Sequence, residues 1–116
     1  MTNTNPTTDK ELVIFVLEQI QELGEYLKGI NEYDFYNNNM LKDACLMKLL
    51  AIGEYTKRMS NYVKETYTNV EWRLIAQARN FYAHGYGATE WTRVWETLDV
   101  EIPRLKVELQ IILNDL

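Results

Sequence analysis

The sequence predicts an all-α chain folded as an up-down bundle of four helices. Apolar residues recur every three to four positions over most of its length, and cap-forming polar residues and glycines punctuate that pattern. No stretch alternates apolar and polar residues around hairpin turns, and neither an internal repeat nor a low-complexity tract is present. A chain of 116 residues, 47% hydrophobic with five Gly and two Pro, suits one modest core. The expected organisation is a disordered leader over 1–8 and a single helical domain over 9–116.

Thr8-x-x-Glu11 has the form of a capping box that opens the first helix. Leu12, Val16, Ile20, Leu23, Leu27 and Ile30 then form one apolar stripe of roughly five turns, with Gly24 as an internal cost. Gly29 with Asn31 marks its end, and Asn37-Asn38-Asn39 supplies cap-forming side chains for the next helix. Leu41, Cys45, Leu49, Ile52, Tyr55 and Met59 make the second stripe, ending near Ser60 and Asn61. Thr68-x-x-Glu71 is read as a second capping box, opening a third helix through Trp72, Ile75 and Ala78 toward Arg79, which Gly85 and Gly87 stop. Thr89 caps the last run, in which Trp91, Val94, Trp95, Leu98, Ile102, Leu105, Leu109 and Ile112 keep a seven-residue rhythm. Pro103 either kinks that run or opens a separate final helix at its first position.

Composition excludes several classes of function. The net charge of −5 argues against broad nucleic-acid binding through many phosphate contacts, but leaves room for a small basic cleft or a basic protein partner. One His and one Cys cannot build a typical zinc site, and no carboxylate pair has metal-ligand spacing, so no metal or cofactor is expected. There is no phosphate-cradling glycine loop and no dinucleotide fingerprint. No apolar run reaches ~18–20 residues and the polar start has no signal core, so neither a membrane span nor export is expected. With Cys45 alone, a reducing cytoplasm is the simplest home.

The richest chemistry lies in Arg79-Asn80-Phe81-Tyr82-Ala83-His84-Gly85-Tyr86, which holds the only histidine. Arginine is a permanent cation whose planar fork matches phosphate oxygens, and histidine moves protons near neutral pH. Five positions apart on an ideal helix, Arg79 and His84 would diverge by about 140°. A loosened helix end near Ala83 would let them converge. The set could cut a phosphodiester: His84 as acid or base, Arg79 on the phosphate, Asn80 orienting, and Tyr86 as a further hydrogen-bonding group. The same residues also suit a plainer reading, with His84 capping helix carbonyls and Arg79 solvated or ion-paired.

Glu54, in mid-helix, either faces inward to hold Arg79 or lies exposed. Trp91, Trp95 and Leu98 read as core or dimer seam rather than a base-stacking platform. Tyr33, Phe35 and Tyr36 read as packing for the first interhelix turn. Lys57, Arg58, Lys64 and Arg73 are the basic residues nearest the motif in sequence, with Lys64 expected on an ordinary solvated face.

Ile52-Gly53-Glu54, Trp72, Arg79-Asn80, Ala83-His84-Gly85-Tyr86 and Val94-Trp95 before Pro103 together resemble the HepT-like proteins of the HEPN superfamily. The resemblance runs from about Leu12 to Ile112. It implies a HEPN-type helical bundle and a homodimeric endoribonuclease toxin acting on RNA without a metal. It also implies a minimal nucleotidyltransferase antitoxin (MntA-like) as partner. By the family motif, Arg79 and His84 are the catalytic pair, Asn80 the polar residue beside them, and Tyr86 the position to which the partner transfers AMP. A different reading is a non-catalytic helical dimer that docks the nucleotidyltransferase. Many relatives carry a bulky apolar residue after the motif tyrosine, where this chain has Gly87 and Ala88.

Overall fold

The first helix begins where its capping box places it. In the computed structural model, which describes residues 6–77, 80 and 86–116, Thr8 Oγ1 accepts from the Glu11 N–H at 3.1 Å and the Glu11 carboxylate accepts from the Thr8 N–H at 3.2 Å. Helix α1 (Asp9–Tyr26) follows and turns Leu12, Val13, Val16, Ile20 and Leu23 inward. It stops earlier than the apolar pattern suggests. Leu27 and Ile30 lie in the following turn, where Gly29 adopts φ +74°, the left-handed region that glycine enters without a Cβ clash.

A short helix then appears that the sequence reading lacked. In α2 (Glu32–Tyr36), Asn31 caps the Asp34 N–H at 2.8 Å and Asp34 returns the bond. This helix buries Phe35 completely and leaves Tyr33 exposed, so only part of the Tyr33–Tyr36 group packs the turn. The asparagine run does the expected work. Asn38 accepts from the Leu41 N–H and opens α3 (Asn39–Lys57). Cys45, Leu49 and Ile52 are buried along the predicted stripe, joined by Leu46, and Met59 is buried just past the helix end.

Ser60 starts rather than ends an element. Its hydroxyl caps the Val63 N–H of α4 (Asn61–Thr66) and donates to Asp9 at 2.6 Å, tying this turn to the start of α1. The second proposed capping box is absent. Glu71, not Thr68, occupies the cap position of α5 (Trp72–Ala76), with no side-chain cap bond. Instead, the Trp72 indole donates to the Tyr67 carbonyl at 3.0 Å and orients the helix start. The proposed continuation through Ala78 and Arg79 lies outside the described residues.

Thr89 likewise is not a cap. Glu90 precedes α6 (Trp91–Glu96) without a side-chain cap bond, and the buried Thr89 hydroxyl has no hydrogen-bond partner among the described residues. Pro103 stands in the first turn of a final helix, the second of the two outcomes its position offers. A π-turn over Thr97–Glu101 links α6 to α7 (Ile102–Asp115), with the Ile102 N–H bonded five residues back to Thr97 O. Proline lacks an N–H and its ring crowds the carbonyl four residues earlier. The wider π-turn lies just ahead of the ring and accommodates both.

Among the described residues the structure is all-α with no strand. Helix α1 packs along α3 and α7, α3 also packs on α5, and α2 bridges α3 and α6. The core is the meeting of three stripes: that of α1, that of α3, and Val94, Leu98, Ile102, Leu105, Leu109 and Ile112 along α6–α7. Each fully buried Leu, Ile or Val contributes about 1.5–3 kcal/mol relative to exposure, so these contacts dominate the fold. Among the described residues, no helix is long and apolar enough to cross a membrane.

Candidate active site

The residues around the motif are held by an aromatic knot at one end of the bundle. Phe35, fully buried, meets Trp95 at 5.2 Å and the edge of Trp91 at 6.3 Å between ring centroids. Both tryptophans are half-buried against the core, so the stripe packs the interior as expected. Trp91 in turn meets Tyr86 edge to face at 5.7 Å and carries the Lys42 ammonium 4.9 Å above its ring.

Tyr86 begins a short 3-10 turn, Tyr86–Ala88, and is 44% exposed. Its hydroxyl donates to Asp43 Oδ1 at 2.6 Å. That bond is the main reason the phenol is held protonated above its ordinary range, with loss of hydration and the carboxylate's charge adding to it. Asp43 escaped the sequence reading. It lies 43 positions from Tyr86, and no periodicity links the two.

Asn80 is exposed and borders a cavity of about 230 Å³ between α3, α5 and the α6–α7 junction. Ile52 and Ile75 supply apolar wall, while Arg93, Glu96 and Glu101 supply charge. Glu96 and Glu101 line the same cavity because a π-turn separates them. Five residues of α-helix would turn them about 140° apart. Arg93 also lies 3.6 Å from Glu90 at the rim.

Glu54 faces outward and pairs with Arg58 at 2.8 Å, one helical turn on. Arg58 also stacks over Tyr55 at 4.5 Å. Glu54, Lys57 and Arg58 line a separate groove with Leu50 and Ala76. The Lys64 ammonium is bonded to the Lys57 carbonyl at 2.7 Å, and Arg73 is exposed on α5. Among the described residues, Asn80 and Glu54 line different cavities, and Tyr86 lines neither of these two. Arg79 and His84 lie outside the described residues.

Two other polar groups are structural. Cys45 is fully buried and loss of hydration pushes its thiol up to about 11, which suppresses the reactive thiolate. The Thr56 hydroxyl, also buried, is satisfied by the Ile52 carbonyl at 2.8 Å. Among the described residues no group of His, Cys, Asp and Glu is placed to hold a metal ion.

Comparison with known proteins agrees with the resemblance drawn from the motif. Residues 16–112 match the family model described as "Ribonuclease HepT-like". The chain is 28% identical to "Putative RNase MJ1380" of Methanocaldococcus jannaschii, covering 89% of this chain and 94% of that protein. It is 31% identical to "Putative RNase TTE0752" of Caldanaerobacter subterraneus, covering 92% and 96%. "Probable ribonuclease HepT" of Thermococcus cleftensis is 28% identical, with 84% and 88% covered. No solved structure gives a significant match. With the family model spanning most of the chain and the motif inside the matched span, this protein belongs to the HepT-like ribonuclease family.

Proposed function

We propose that this chain is a metal-independent endoribonuclease toxin controlled by a minimal nucleotidyltransferase antitoxin. The observation that carries the reading is the placement of Arg79, His84 and Tyr86 within the span matched to a ribonuclease family. His84 takes the proton of a ribose 2′-hydroxyl, and the 2′-oxygen attacks the neighbouring phosphorus. The bond to the 5′-oxygen breaks, and that oxygen leaves with a proton from the acid form of a histidine or from water. Arg79 stabilises the extra negative charge on the five-coordinate phosphorus, and Asn80 holds a phosphate oxygen or the imidazole. The products are a 2′,3′-cyclic phosphate and a 5′-hydroxyl. The nucleophile is part of the substrate, so proton transfer and charge stabilisation suffice.

Transfer RNA is the substrate to test first, and the working unit is a homodimer that sets two motifs beside one RNA. Silencing occurs through AMP on Tyr86, whose exposure at 44% leaves the phenol within reach of a partner enzyme. The net charge of −5 favours a second reading, a non-catalytic dimer that only docks the nucleotidyltransferase. Partner-free protein incubated with total tRNA in EDTA separates the two. Cleavage ending in cyclic phosphates, lost in both His84→Ala and Arg79→Ala with melting unchanged, supports the enzyme. Intact RNA, or cleavage surviving in either variant, refutes the assignment. For the switch, co-expression with the nucleotidyltransferase should add an AMP mass to Tyr86 that is absent in Tyr86→Phe. Modification elsewhere only would sink it.

A further inference from the structure

Two adjacent residues of α3 hold the last residue of the motif and the tryptophan it packs on. Asp43 takes the Tyr86 hydroxyl at 2.6 Å, and Lys42 sits on the face of Trp91, against which the Tyr86 ring packs. The phenol is thus restrained at both ends, its oxygen by a carboxylate and its ring by an indole that Phe35 backs from the core. A lone exposed hydrogen bond would fix little. Here the ring contact removes much of the side chain's freedom before the bond forms, so less entropy opposes it.

We propose that Asp43 is a positioning residue for Tyr86, fixing the phenol as a neutral hydrogen-bond donor and anchoring the turn Tyr86–Ala88 to α3. In sequence only Gly85 separates His84 from Tyr86, so two residues of chain, at most ~7 Å, tether the histidine to this anchor. Any group attached to the Tyr86 oxygen replaces the hydrogen that Asp43 accepts. A phosphate-bearing group also sets a negative charge against the carboxylate. Modification of Tyr86 therefore removes the Asp43 bond, and the carboxylate then repels the added charge, which weakens the hold of α3 on the turn. The raised ionisation of Tyr86, caused first by the Asp43 bond, is the free protein's signature of the same contact.

The effect on RNA cleavage rests on the ribonuclease reading, whereas the anchor itself does not. The test compares wild type, Asp43→Ala, Asp43→Asn, Tyr86→Phe and the Asp43→Ala/Tyr86→Phe double variant. Asp43 is exposed, so melting should stay close to wild type. The Tyr86 titration is isolated by subtracting the Tyr86→Phe spectrum and should fall toward the ordinary tyrosine value in Asp43→Ala. Asp43→Asn, which can still accept the bond without charge, should fall between. In cleavage assays Asp43→Ala should lose about three- to tenfold in kcat, as expected for one partly exposed charge-assisted bond. The double variant should be no worse than Tyr86→Phe alone. An unchanged Tyr86 titration in both Asp43 variants, or losses that multiply in the double variant, overturns the proposal. If wild type cuts no RNA, the ribonuclease reading fails while the titration still decides the anchor.

Discussion

Two glycines offer the same chemical change with opposite expected signs. Gly24 lies inside α1 with a helical backbone, is exposed, and has no atom within 4 Å of where a Cβ would stand. Gly24→Ala therefore adds helix propensity with no steric charge against it, a gain of about 0.5–1 kcal/mol. Gly29 also has open space, but its φ of +74° is the left-handed region. A Cβ there costs roughly 1–2 kcal/mol, and the smaller entropy of the unfolded chain returns about 0.4–1 of that. The net loss is about 0.5–1 kcal/mol. For a chain of this size 1 kcal/mol moves Tm by about 4 °C. Gly24→Ala should therefore melt about 2–4 °C above wild type and Gly29→Ala about 2–4 °C below, read by circular dichroism. If both variants shift in the same direction, the separation of backbone strain from free space is wrong at these two sites.

Cys45 should resist thiol reagents in the native protein at mildly alkaline pH and react at once in concentrated guanidinium, because burial holds it protonated up to about 11. Tyr67 donates to Asp115 at 2.7 Å and its phenol is pushed up to about 12, first by that bond, then by burial and by the charges of Asp115 and Tyr62. Because the folded value is raised, its contribution to stability is fully present below pH ~10 and is lost as pH rises through about 12. Asp115→Asn should lower the Tyr67 titration midpoint and narrow that window, followed by difference absorbance. RNA affinity should depend weakly on salt. With about two or three phosphate contacts in the whole complex, the slope of log K against log salt should be about −1.4 to −2.1, and a much steeper slope would refute a small contact set.

What could be read from the sequence follows the length of each element. Helices α1 and α3 and the α6–α7 run each place several apolar residues at helical spacing, and those residues are the core. Helices α2 and α4 have five and six residues and one buried anchor each, Phe35 and Val63. A single anchor has no period, so only their caps, Asn31 and Ser60, could have marked them. Thr68-x-x-Glu71 shows the converse error. Two residue types at a fixed spacing occur readily by chance, and the chain instead starts α5 from Glu71. In the candidate site, the motif is local in sequence, and it is what ties the chain to its family. The Asp43–Tyr86 bond and the shared cavity wall of Glu96 and Glu101 are not legible in sequence, since one needs the tertiary fold and the other needs the π-turn.

The placement of positive charge bears on how an acidic protein can act on RNA. Lys48 is committed to Gln19 and Glu22 across α1 and α3, Arg58 to Glu54, Lys64 to the Lys57 carbonyl, and Lys42 to the Trp91 ring. Arg93 lies beside Glu90. A broad phosphate-gripping surface would have to break several of these contacts while overcoming a net charge of −5. Affinity of that kind is therefore a poor source of binding energy here. The proposed chemistry does not need it, because oriented groups acting at one phosphate stabilise the transition state more than the ground state. Two motifs in a dimer would double the oriented groups without changing the charge of either surface. On that reasoning the anchor of Tyr86 on Asp43 matters more than its exposed position suggests: where few contacts hold the substrate, their geometry decides the rate.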